Sequence, residues 1–108
     1  MFDKNTKNLW YLLVKELKKS GFETTKVTVS VQKFAESSRL KPSNISTRVE
    51  AQRCINLLDS FSLCVDGRGT KMKFALSQRS SKVSESEISF RFTEDCALFL
   101  KQLIEEEI

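Results

Sequence analysis

The segment from Ser30 to Phe74 constrains the fold most, because its periodicity changes in a fixed order: short helix, tight polar turn, longer helix, alternating hairpin. Before it, Val27, Val29 and Val31 alternate with Thr28 and Ser30, which predicts a short strand ending at Ser30, a good helix N-cap. The helix from about Val31 to Ser38 turns Phe34 and Ala35 inward. Arg39-Leu40-Lys41-Pro42 breaks it, since Pro42 disfavours helical geometry at Lys41 and suits the first turn of a new helix beginning near Ser43. In that longer helix Ile45, Ala51, Cys54, Ile55 and Leu58 form the predicted buried stripe, with Ser46, Thr47, Arg48, Glu50 and Arg53 nearer solvent. Phe61, Leu63 and Val65 then alternate with polar or small neighbours, and Met72, Phe74 and Leu76 resume the pattern, predicting a hairpin closed at Asp66-Gly67.

The flanks extend this core. Leu9, Trp10, Leu13 and Leu17 recur at helical spacing from about Thr6 to Ser20, with Lys15, Lys18 and Lys19 opposite and Gly21 where a left-handed cap belongs. Residues 78–87 hold four serines and one large apolar residue, Val83, and are expected to be a mobile polar surface segment. Ile88, Phe90 and Phe92 predict a further strand. Thr93 then caps a last helix, about Glu94 to Glu106, whose Glu94 and Asp95 complement the helix dipole. This helix carries more apolar surface than one stripe needs, so Leu98, Phe99, Leu103 and Ile104 are expected to form a homodimer interface.

Length and composition bound the chemistry. A chain of 108 residues, 40% hydrophobic, suits a single domain over residues 1–108. Residues 1–82 hold 16 Lys and Arg against 7 Asp and Glu, whereas 83–108 hold 2 against 7, placing a basic body beside an acidic tail. Basic surface favours phosphate partners, because neutralised phosphates release counterions. Cys54, Cys64 and Cys96 lie far apart within apolar runs, and with no histidine in the chain they predict small buried hydrophobes, neither disulfides nor a metal site. The missing histidine also removes the commonest general base, so no catalytic residue, cofactor or small-molecule substrate is expected. The longest apolar run, Leu9 to Val14, is too short to cross a bilayer, so the expected location is cytoplasmic, with no membrane partner.

These elements define the expected fold class: α+β, a winged helix-turn-helix with a three-helix core, a β-hairpin wing, and an additional strand and C-terminal helix. Ala35, Leu40 and Ile45 stand where such a motif needs a small residue at the helix crossing and two apolar residues that lock the angle; Arg39 stands where glycine is usual. The expected partner is double-stranded DNA. Arg48 is suited to a bidentate contact to guanine, Asn44 to adenine or phosphate, and Ser43 and Thr47 to backbone oxygens; Lys41, Arg53 and the wing residues Arg68 and Lys71 would add phosphate contacts. The alternative is an interaction or dimerisation domain using the same fold without binding DNA, favoured by the apolar last helix and its acidic end.

The opening Leu9-Trp10-Tyr11-Leu12-Leu13, the Val27 to Leu40 strand and helix, and Ile88-Ser89-Phe90-Arg91-Phe92-Thr93 running into Leu98-Phe99-Leu100-Lys101-Gln102-Leu103 resemble the first winged-helix domain of plasmid replication initiator proteins. That resemblance implies binding to repeated origin DNA, the first domain serving dimerisation and backbone contact. Such initiators carry a second winged helix, which this sequence lacks; a small regulator or an isolated domain fits the length better.

Overall fold

The computed structural model describes residues 3–22, 24–41, 45–67 and 70–106. It is an α+β arrangement of four helices and two small antiparallel sheets: α1 (Lys4–Lys19), β1 (Lys26–Ser30), α2 (Val31–Ser37), α3 (Ile45–Ser60), β2 (Ser62–Gly67), β3 (Thr70–Ala75), β4 (Lys82–Val83), β5 (Glu87–Arg91) and α4 (Glu94–Glu106).

Local chemistry sets most of these boundaries. The Ser30 hydroxyl accepts the Lys33 amide at 3.1 Å and starts α2, and the Thr93 hydroxyl does the same for the Cys96 amide at 3.2 Å in α4. At the end of α1, Gly21 takes φ 70° as expected, with its amide on the Lys18 carbonyl and the Phe22 amide on that of Leu17. The same double bond closes α2: the Leu40 amide reaches the Ala35 carbonyl at 2.7 Å and the Arg39 amide reaches that of Glu36 at 3.3 Å. Arg39 therefore occupies the left-handed position, φ 56°, that glycine usually fills.

One sheet has the order β1-β5-β4, and the other is the β2-β3 hairpin. Beyond β3 the chain runs beside the end of β5, where the Thr93 amide reaches the Leu76 carbonyl and the Gln78 amide that of Arg91, linking the two sheets. A single core results. It joins Leu9, Leu13 and Leu17 of α1, Val27 and Val29 of β1, Phe34 of α2, Ile55 and Leu58 of α3, Phe74 of β3, Ile88 and Phe90 of β5 with Phe92 after it, and Cys96 of α4. Phe90 and Phe92 meet edge to face at 4.9 Å, and Trp10 stands at 5.4 Å on Phe92.

Two expectations are corrected. The hairpin does not close at Asp66-Gly67: both residues belong to the ladder, which continues through Asp66↔Lys71 to Gly67↔Thr70. Both registers place the same residues on the same face, but the observed one sets Leu63 opposite Phe74 and Val65 opposite Met72, whereas closure at 66–67 would oppose them with Thr70 and Arg68. Residues 78–87, expected to be a mobile polar segment, are mostly exposed; within them β4 pairs to β5 through Lys82↔Ser89 and Val83↔Ile88, and the Asp59 carboxylate accepts the Ser77 hydroxyl at 2.6 Å and the Ser81 hydroxyl at 2.8 Å. The second correction is Cys64, which is exposed on β2, while Cys54 and Cys96 are buried as expected. Burial pushes both of those thiols up, that of Cys96 to about 12, which favours the protonated form.

Candidate nucleic-acid interface

The outward face of α3 is set by where its buried stripe falls. Thr47, Ala51, Cys54, Ile55 and Leu58 are the buried residues, a 4-3-1-3 spacing that holds one side of a helix. Ile45, expected to lie in that stripe and lock the helix angle, is instead 68% exposed, because it sits about 240° around the helix from Ala51. Thr47 takes the inner place. It is 1% exposed, and its hydroxyl donates to the Lys41 carbonyl at 2.6 Å, tying α3 to the chain that leaves α2. Thr47 is thus turned away from the backbone-oxygen contact expected of it.

What α3 presents to solvent is Ile45, Ser46, Val49, Gln52, Arg53, Asn56, Leu57 and Ser60. Val49 is 64% exposed, and the Gln52 amide donates to the Asn56 side-chain oxygen at 2.9 Å. Ile45, Arg48, Val49 and Gln52 face Val83 of β4 across a shallow groove of about 270 Å³. Arg48 is half-buried, its guanidinium 3.9 Å from the carboxylate of the exposed Glu85, a weak pair that leaves the cation available.

Arg53 is occupied differently. It donates to Asp3 at 2.5 Å and, through Nε, to Glu50 at 2.5 Å, so two carboxylates compensate its charge. Asp3 also accepts the Thr6 hydroxyl; that bond first, and Arg53 second, hold its carboxyl below the usual carboxylate range, while Asp3 and then Glu50 push the Arg53 guanidinium up. The cluster fastens the start of α1 to the middle of α3. Arg53, expected to add a phosphate contact, thus stands in an intramolecular ion-pair cluster.

Of the other expected DNA-binding residues, Lys41 is exposed beside the α2–α3 turn. Ser43, Asn44 and Arg68 lie outside the described residues, and Lys71 is described only by its backbone pairing with Asp66. Lys73 and Cys64 face each other on the exposed side of the hairpin. Among the residues expected at a dimer interface, Leu98 is 58% and Leu103 40% exposed, but about 140° of helix separates them, so they form no single stripe. Phe99 is turned inward, its ring 5.6 Å from that of Phe74; the Ile104 side chain lies outside the described residues. Sequence reasoning placed Ile45 in the buried stripe and did not single out Val49, Gln52 or Asn56 on the exposed face. The signal was present: starting the stripe at Thr47 fits the helical period better than starting it at Ile45.

Among the described residues no cluster of three or more His, Cys, Asp or Glu could hold a metal ion, and no helix is long and apolar enough to cross a membrane. Compared with known proteins, the chain matches no family model and no curated protein.

Proposed function

We propose that the chain is a non-enzymatic DNA-binding protein of the winged-helix kind, laying the outer face of α3 in a major groove with the β2-β3 hairpin beside it. The observation that carries this reading is the composition of that face: two exposed aliphatic side chains, Ile45 and Val49, beside Arg48 and the Gln52 amide, on the helix that follows a tight turn. Those are the groups that read base edges, aliphatic carbon against thymine methyl, amide against adenine and guanidinium against guanine. Lys41 and Lys73, exposed on neighbouring elements, supply phosphate contacts. The resemblance to the first domain of plasmid initiators belongs to the same proposal.

Electrophoretic mobility of a random 30-base-pair duplex pool, followed by selection of the tightest sequences, tests it. Gln52→Ala should lower affinity for selected sites about 5- to 100-fold while leaving the salt dependence unchanged. Lys41→Ala should weaken all duplexes alike and reduce the slope of log affinity against log salt by about 0.9. Negligible binding at low salt defeats the reading.

A second reading, a domain that docks protein through this fold, is favoured by the exposure of Leu98 and Leu103 on α4. Sedimentation of the free protein separates the two: self-association abolished by Leu98→Lys, with no duplex binding, supports the second.

A further inference from the structure

A second surface, on α1, carries chemistry that the α3 reading does not use. Lys4, Lys7, Lys15 and Lys18 all fall within about 40° of Tyr11 around the helix, a stripe about 21 Å long on the side opposite Leu9, Leu13 and Leu17. Tyr11 is 67% exposed, unusual for an aromatic residue in a core of this size, and it lies at the centre of the stripe. With Val14, Lys15, Lys18 and Lys19 it lines an open groove of about 490 Å³, and all three lysines are exposed. Lys19 is drawn to Glu16 at 3.4 Å, but none of the four stripe lysines has a carboxylate partner among the described residues.

We propose that this face of α1 binds single-stranded nucleic acid, Tyr11 stacking on an unpaired base while the lysines follow its phosphates. A row of cations alone would suit any polyanion. The ring at its centre selects among them, because a duplex keeps its bases stacked on each other and offers a surface residue only phosphate and sugar, whereas a single strand exposes base faces. An anionic membrane fits less well: a helix that settles into a lipid interface does so on its apolar face, and that of α1 is fully buried in the core. An acidic peptide would use the lysines without requiring the ring. The proposal is independent of α3, which offers amide and aliphatic groups and no exposed aromatic ring.

Fluorescence anisotropy of labelled dT20 and of a 20-base-pair duplex, measured from 50 mM KCl upward, tests it, with circular dichroism verifying that each variant folds. Tyr11→Ala should weaken dT20 binding about 5- to 100-fold, and Tyr11→Phe, which keeps the ring, should bind like the wild type. Combined Lys15→Ala and Lys18→Ala should lower the salt slope for dT20 by about 1.4. Arg79→Ala, which removes an exposed cation on neither α1 nor α3, should leave dT20 binding intact, and a loss there as large as that of Tyr11→Ala overturns the assignment to α1. Undiminished dT20 binding by Tyr11→Ala overturns the proposal even if the lysine variant binds more weakly, since the face would then be a general polyanion surface. Absence of dT20 binding overturns it too, as does Tyr11-dependent binding to phosphatidylserine vesicles in its place.

Discussion

Replacing Arg39 by glycine should stabilise the protein. Arg39 sits at φ 56° in the turn between α2 and α3, held there by its own amide on Glu36 and by the Leu40 amide on Ala35. A residue with a Cβ pays roughly 1–2 kcal/mol to stand in the left-handed region. Glycine avoids that strain but loses roughly 0.5–1 kcal/mol more backbone entropy on folding. The balance favours glycine by about 0.5–1 kcal/mol, which for a domain of this size raises Tm by about 2–8 °C. Because Arg39→Gly also deletes a charge, Arg39→Ala is the reference: it removes the charge and keeps the Cβ, so the difference between the two isolates the backbone term. Urea unfolding followed by circular dichroism reads both, with the m-value expected to stay constant. Equal stability of the glycine and alanine variants, or a less stable glycine variant, would refute the left-handed turn and with it the geometry that presents α3.

Asp59→Ala should destabilise by about 1–3 kcal/mol, because the buried Ser77 hydroxyl and that of Ser81 lose a shared carboxylate acceptor; urea denaturation measures it. Asp3→Asn should lower Tm at pH 7 by an amount equivalent to less than about 1 kcal/mol, the range of exposed ion pairs. Since the folded Asp3 carboxyl is held below its unfolded value, its contribution is present above about pH 4 and lost as pH falls through the lowered value. The Tm gap between wild type and variant should therefore narrow as pH falls below about 4; a gap that stays constant through the acid range would remove the clamp.

Element order and most helix ends were legible in the sequence because they rest on local chemistry. Ser30 and Thr93 cap with their own hydroxyls, and Gly21 takes the left-handed position that stops α1. What failed depended on partners distant in the chain. Asp66 and Gly67 stand inside the β2-β3 ladder because register is set along its whole length, with Leu63 opposite Phe74, and not by the local Asp-Gly signal. Lys82 and Val83 lie in a segment too polar to suggest a strand, and only pairing to the distant β5, with Ser81 held on Asp59, makes them β4. Within the candidate site, Arg53 reads as a free cation until Asp3, fifty positions away, is placed beside it. Ile45 was misplaced for another reason: an isoleucine at a helix start attracts a core assignment, while Thr47 earns the buried place only because the Lys41 carbonyl satisfies its hydroxyl.

That exchange of Ile45 for Thr47 changes what the basic half of the chain can do. With Thr47 inside, the outer face of α3 is aliphatic and amide in character, and its one exposed arginine, Arg53, is compensated by Asp3 and Glu50. Such a face has little attraction for phosphate, so any discrimination it makes among base pairs needs affinity supplied from its borders, by Arg48, Lys41 and Lys73. The most concentrated run of uncompensated lysines described lies instead on α1, around Tyr11. The two proposals therefore divide base-edge chemistry and charge between two helices and predict that substitutions on each will separate in their effects: α3 variants change which duplex is preferred, and α1 variants change how steeply single-strand binding falls with salt.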